Sequence, residues 1–291
     1  MRITCAAHAK INWALNITGR RPDGYHTLDM VMQRIALADE MTFDPSEDIH
    51  LTVNGVEPAD PEQNLVVRAA RALNRHANTR HGARIALVKR IPARAGLGGG
   101  SADCAQTLKA LNALWELGLS DDALREIGLS LGADVPFCLT GGLARVTGIG
   151  ECLSPIPGAP SIPLVLVTPG GGLSTGQVFS LWDSGGYGPV ALDAWALARA
   201  ITARDLARLD ALCRNALTAP AVQLMPEIAV LIDRLRALGA GAAFMTGSGS
   251  TVVGAFGNES AARRAAGALP GARVTRTLTA SDISRHEPDW I

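Results

Sequence analysis

One stretch constrains this chain more than any other: Pro92-Ala93-Arg94-Ala95-Gly96-Leu97-Gly98-Gly99-Gly100-Ser101-Ala102. Upstream, Arg84 to Lys89 reads as a strand. Downstream, Cys104, Leu108, Leu111 and Trp115 recur at spacings of four, three and four, which is one stripe of a helix beginning near Ser101 and stopping near Gly118. Successive glycines let a backbone approach a ligand closely and turn its amides inward. The helix N-terminus that follows adds partial positive charge, so the junction favours an anion such as phosphate. Two familiar phosphate loops are excluded by spacing, because no Gly-Lys-Ser/Thr follows and Ser101 stands where the dinucleotide fingerprint needs glycine. At this level a glycine-rich loop with no ligand remains the alternative.

Length and charge narrow the classes further. A chain of 291 residues exceeds what a single hydrophobic core usually serves, so two domains are expected. Lys plus Arg and Asp plus Glu balance at 27 each, which leaves no broad field for nucleic acid or an anionic membrane. The expected partner is a small molecule. Cys5, Cys104, Cys138, Cys152 and Cys213 are odd in number, widely spaced and never in a Cys-x-x-Cys pair. Neither a disulfide framework nor a zinc site is suggested, and a reducing cytoplasm is expected. The beginning carries His8, Lys10 and Asn12 where a signal peptide needs an unbroken apolar run, so no targeting segment is expected.

Around this loop the chain reads as mixed helix and strand. Residues from Lys10 to Ile17 alternate, with Ile11, Trp13, Leu15 and Ile17 expected on one side and Lys10, Asn12 and Asn16 on the other. Val31 to Leu37 and Ile49 to Val53 are further strands, and Asn64 to Arg75 is a helix. Ser120, Asp121 and Asp122 supply an N-cap and first-turn negative charge for a helix running to about Leu131, where Gly132 ends it. Pro155 to Pro163 holds four prolines in nine residues and marks the boundary, giving domains 1–157 and 158–291. The second half reads as strands at Leu164 to Val167, Ala242 to Met245, Thr251 to Phe256 and Arg273 to Leu278. Ala/Leu-rich helices lie between, with one more from Glu259 to Leu269, an α+β pattern.

The glycine stretch resembles the ATP loop of the GHMP kinase superfamily, whose pattern is Pro-x-x-x-Gly-Leu-Gly-Ser/Gly-Ser/Gly-Ser. Three further segments join it in order between about residues 6 and 256: Ala9-Lys10-Ile11-Asn12 with Gly19 to His26 behind it, Gly132-Ala133-Asp134-Val135-Pro136, and Thr246-Gly247-Ser248-Gly249-Ser250. Together they are similar to the branch whose acceptor alcohol carries a cytidine diphosphate. The resemblance implies a two-domain fold, with a ribosomal protein S5-like N-terminal domain, a ferredoxin-like C-terminal domain and the active site in the cleft between them. It implies ATP, with Mg²⁺, as the phosphoryl donor. No cluster of carboxylates marks the metal ligands, and Ser101 is the one candidate.

Residue by residue, the resemblance makes Asp134 the base that takes the acceptor hydroxyl's proton. Lys10 is then its cationic neighbour, stabilising charge in the transition state. Asn12, on the same strand face, is expected at the acceptor. Tyr25 and His26 are assigned to the cytosine ring, Thr175 to polar contacts and Phe179 to the ring's second face. Asn64 and Lys89 stand with the loop 92–102 at the nucleotide, and Thr246 to Ser250 closes over the site. Taken singly, each has a plainer reading: an Asx turn at Asp134, a solvated strand lysine, surface packing for Tyr25 and His26, a core ring for Phe179. Arg94 departs from the family, which commonly has a small or apolar residue there. The competing functions are another GHMP kinase, acting on homoserine or mevalonate, and a silent sensor on the same fold.

Overall fold

The computed structural model describes residues 2–56 and 58–282. The first half is organised by two long antiparallel strands, β1 (Ile3–Arg20) and β2 (His26–Ser46). They are joined by a turn in which Gly24 has φ +91° and the Asp23 carboxylate accepts the Tyr25 N–H at 3.2 Å. After β3 (Ile49–Val53), helix α1 (Leu65–Ala77) provides the crossover that a parallel neighbour requires, and β4 (Gly82–Val88) then pairs parallel to β3. Helices α2 (Gly99–Leu114), α3 (Asp121–Leu131) and α4 (Val135–Thr140) follow, and the hairpin β5 (Leu143–Gly148) and β6 (Cys152–Pro155) completes the sheet. β2 is its spine. One edge of β2 carries β1, while the other is shared between β5, opposite residues 28–33, and β4, opposite residues 40–46.

Residues 156–162 take the chain to a second sheet. This comprises β7 (Pro163–Val167), β8 (Ala242–Met245), β9 (Val252–Ala255) and β10 (Arg273–Arg276), antiparallel throughout in the order β10-β7-β9-β8. Between its strands lie α5 (Thr175–Ser184), α6 (Ala194–Thr202), α7 (Leu206–Leu212), α8 (Thr218–Leu224), α9 (Glu227–Ala237) and α10 (Glu259–Gly267). The α+β expectation is borne out. Most strands and helices lie within a few residues of where periodicity puts them, and β5, β6 and α4 were not foreseen.

The alternation expected of Lys10 to Ile17 is corrected. Pairing with β2 shifts register between His8 and Lys10 and again between Asn12 and Ala14. Ile11 and Trp13 join a core that includes Leu164, Phe244 and Val253 of the second sheet, whereas Leu15 and Ile17 join a second, larger core that takes in residues of both halves, Val66 and Leu108 as well as Val165 and Met245. The four residues therefore serve two cores. Trp13 and Phe244 lie 5.3 Å apart at their ring centroids, and Trp13 Nε1 donates to Gln33 Oε1 at 2.9 Å, so the indole is satisfied at the junction of the halves.

Candidate active site

Those register shifts bracket Lys10. Its backbone N–H donates to the carbonyl of Leu97 at 3.0 Å, which fastens β1 directly to the glycine loop. The side chain is only 4% exposed, and its Nζ lies 3.2 Å from Asp134 Oδ2. It also donates to Asn12 Oδ1 at 2.6 Å. A buried ammonium is tolerated only with such partners. Asn12 is locked in turn, its N–H donating to Thr246 Oγ1 at 2.8 Å. Asp134 immediately precedes α4, whose first turn carries Pro136, and its carboxylate makes no capping bond to the helix. At 32% exposed it faces outward from the buried lysine.

The glycines are required by what lies behind them. Gly98 has φ +67°, and a Cβ there would meet Lys10 Cε at 2.9 Å and Cγ at 3.0 Å. Gly96 has φ +76°, and its Cβ would meet the Thr246 carbonyl at 2.3 Å; from the other side, a Cβ at Gly247 would meet the Gly96 carbonyl at 2.7 Å. The two glycine loops thus interlock through backbone. Gly98 is also the N-cap of α2 and supplies no side-chain acceptor, so the first amides of that helix, which have no intrahelical partner, are left without a side-chain cap. Arg94 takes a left-handed φ of 52° and lines the cavity in front of the loop, with its Cβ where a Gly172 side chain would collide.

That cavity, of about 780 Å³, is lined by Lys10, Asn12, Asp134, Asn64, Lys89 and residues 92–101, together with Thr175 and Phe179. Ala102 lies behind it, buried in α2. Asn64 caps α1 by accepting the Val66 N–H at 2.9 Å. Lys89 is held by two carboxylates, Asp39 Oδ2 and, at 2.7 Å, Asp103 Oδ2. Burial opposes the Lys89 charge, yet Asp103 and Asp39 outweigh it and hold the ammonium above its ordinary range. Burial pushes Asp103 up to about 7 against the pull of Lys89.

His26 is not among the lining residues but stacks on one of them, Phe179, with centroids 4.8 Å apart, and meets the Trp182 ring edge-on at 5.8 Å. Its Nε2 is 2.8 Å from Asp183 Oδ1. Thr175 Oγ1 and Ser248 Oγ are 2.8 Å apart, tying the start of α5 to the second glycine loop. Tyr25 is not gathered into this group; it stands 59% exposed at the β1–β2 turn.

Residues 64–142 match the GHMP kinases N terminal domain, and residues 195–274 match GHMP kinases C terminal. The 4-diphosphocytidyl-2-C-methyl-D-erythritol kinase of Pelotomaculum thermopropionicum is 44% identical over 279 residues, covering 95% of each chain. That of Bacillus subtilis is 36% identical, covering 93% of this chain and 94% of its own. A crystal structure of 4-(cytidine 5'-diphospho)-2C-methyl-D-erythritol kinase superposes with a TM-score of 0.80 at 36% identity, over 94% of this chain and 99% of that one. The chain belongs to the 4-diphosphocytidyl-2-C-methyl-D-erythritol kinase family. It has the GHMP kinase fold, which extends beyond that family: homoserine kinase from Cytophaga hutchinsonii superposes with a TM-score of 0.73 at 17% identity.

For a member of this kinase family, sequence reasoning missed three carboxylates, Asp39, Asp103 and Asp183, and one aromatic, Trp182. Phe179 and Asp183 are four apart on α5, hence on one face, so assigning that helix would have paired Asp183 with the aromatic. Asp39 follows the apolar run Ile35 to Ala38 and is fully buried, a charge that must find a cation. No comparable signal marks Asp103. Chemically, the arrangement offers a carboxylate beside a buried cation, uncapped amides at a helix start and a polar-aromatic corner.

Proposed function

We propose that the chain transfers the γ-phosphoryl group of ATP to the 2-hydroxyl of 4-diphosphocytidyl-2-C-methyl-D-erythritol, in the methylerythritol phosphate route to isoprenoid precursors. The observation that carries this reading is the Lys10–Asp134 pair, 3.2 Å apart beneath the glycine loop. Asp134 accepts a hydrogen bond from the acceptor hydroxyl and takes its proton as the bond to phosphorus forms; a weak base suffices because phosphoryl transfer is loose. Lys10 stabilises the negative charge of the transferring group, and Asn12 fixes the position of its ammonium.

The uncapped start of α2 and the amides of loop 92–102 hold the phosphates, with Asn64 and Lys89 at the nucleotide end. Among the described residues no three His, Cys, Asp or Glu gather around one point. Magnesium commonly takes only one or two protein oxygens alongside phosphates, and the Ser101 hydroxyl, 3.8 Å from where a Gly132 Cβ would lie, fits that role in the segment next to Asp134. When bound, the ion neutralises charge on the transferring phosphoryl. His26, Phe179, Thr175 and Tyr25 receive the cytidylated end of the acceptor. We assign the nucleotide to residues 1–157, with 158–291 as the second domain, and the cytoplasm as the compartment that suits the five free cysteines.

The test is ADP release from Mg-ATP with the cytidylated methylerythritol, methylerythritol phosphate, homoserine and mevalonate supplied at equal concentration. Selective turnover of the first supports the reading. Preference for an acceptor without cytidine overturns the acceptor assignment, and no turnover with any of them puts the silent sensor first.

A further inference from the structure

The nucleotide loop leaves β4 and returns as α2, and its two ends are fastened at one point. Asp39, on β2 and fully buried, accepts through Oδ1 the backbone N–H groups of Arg90 and, at 2.8 Å, Ile91, the two residues that lead into the loop. Through Oδ2 it accepts from Lys89 Nζ. The same ammonium donates at 2.7 Å to Oδ2 of Asp103, 14 positions further on and one turn into α2. Nothing intervenes: a Cβ at Gly99 would lie 3.4 Å from Lys89 Nζ and 2.9 Å from Ile91 Cγ2. The other oxygen of Asp103, Oδ1, is buried with no hydrogen-bond partner. A carboxylate is kept in that costly place for the sake of its bond to Lys89.

We propose that Asp39 and Asp103, acting through Lys89, are positioning residues for ATP: a three-residue clamp that sets the spacing between the strand end and the start of α2, and so the direction of the amides that receive the phosphates. The intervening segment contains Gly96, Gly98, Gly99 and Gly100 and has ample backbone freedom of its own. Amides on a free loop would have to be ordered at each binding event, whereas a loop whose ends are tied has that ordering built in. The inference rests on the nucleotide part of the proposed function and leaves the identity of the acceptor aside.

Asp103→Ala tests it, because Lys89 keeps Asp39 and the fold keeps one half of the clamp. The dissociation constant for ADP and the KM for ATP are expected to rise about tenfold or more, by a larger factor than any fall in kcat, with KM for the acceptor unmoved. Asp103→Asn keeps an acceptor oxygen for Lys89 and is expected to recover most of the ADP affinity; Asp39→Asn is expected to weaken ADP as Asp103→Ala does. If Asp103→Ala lowers only the melting temperature, or lowers kcat with both KM values unchanged, the clamp is overturned and Asp103 is structural. If the wild-type chain binds no ADP, the clamp falls together with the nucleotide reading; if it binds ADP normally but turns over no cytidylated acceptor, only the acceptor reading falls.

Discussion

The Lys10 side chain runs beneath Gly98 so closely that a methyl group at residue 98 would lie 2.9 Å from its Cε. The φ of +67° at Gly98 is itself one that L residues adopt only at a cost of about 1 to 2 kcal/mol. Gly98→Ala is therefore expected to displace the lysine as well as strain the loop. Turnover should fall on the order of 100-fold, with a loss in stability of about 1 to 3 kcal/mol. Wild-type kcat in a folded Gly98→Ala variant would show that the lysine has room to move.

Lys10→Ala removes the cation and leaves the Asn12 oxygen without its donor. Removing a buried electrostatic contributor of this kind costs about 2 to 4 kcal/mol of transition-state stabilisation. Single-turnover kinetics should show that loss in the chemical step. A rate near wild type would take Lys10 out of the mechanism.

Asp134→Asn keeps the shape at the start of α4 and removes the proposed base. Turnover should drop on the order of 10² to 10⁴-fold while ADP affinity is retained. Calorimetry with ADP separates the cases, since an equal loss of nucleotide affinity would make Asp134 a metal-binding or structural residue.

Asp183 Oδ1 lies 2.8 Å from His26 Nε2 and so fixes which imidazole nitrogen is left for the proposed acceptor. Asp183→Ala is expected to raise KM for the cytidylated acceptor about tenfold, in line with roughly 1.5 kcal/mol for a hydrogen bond to a charged partner. KM for ATP should stay unchanged. Equal shifts in both constants would point to a general disturbance of α5.

Burial pushes the thiols of Cys5, Cys104 and Cys138 up to about 12, and that of Cys213 higher still. Cys152 is exposed. A thiol reagent at neutral pH should label Cys152 alone in the folded chain and all five after denaturation, as mass spectrometry would read. Rapid labelling of Cys138 in the native state would mean that α4 opens.

How much could be read beforehand depends on the range of the forces involved. The stripe of Cys104, Leu108, Leu111 and Trp115 is local, and α2 follows from it directly. The four motif segments hold Lys10, Asp134 and both glycine loops, so the residues at the centre of the cavity were legible as candidates. The division of Ile11, Trp13, Leu15 and Ile17 between two cores was not, because it follows from register shifts set by a partner strand some twenty residues away. Neither was the tie from Lys89 to Asp39, which joins residues 50 apart and leaves no periodic trace.

Gly96 and Gly247 meet backbone to backbone, one from each half of the molecule. Such a joint has no side chain whose exchange could loosen or tighten it by degrees; every replacement adds atoms where backbone of the other loop already stands. Gradual adaptation to temperature or substrate must be made elsewhere in the chain.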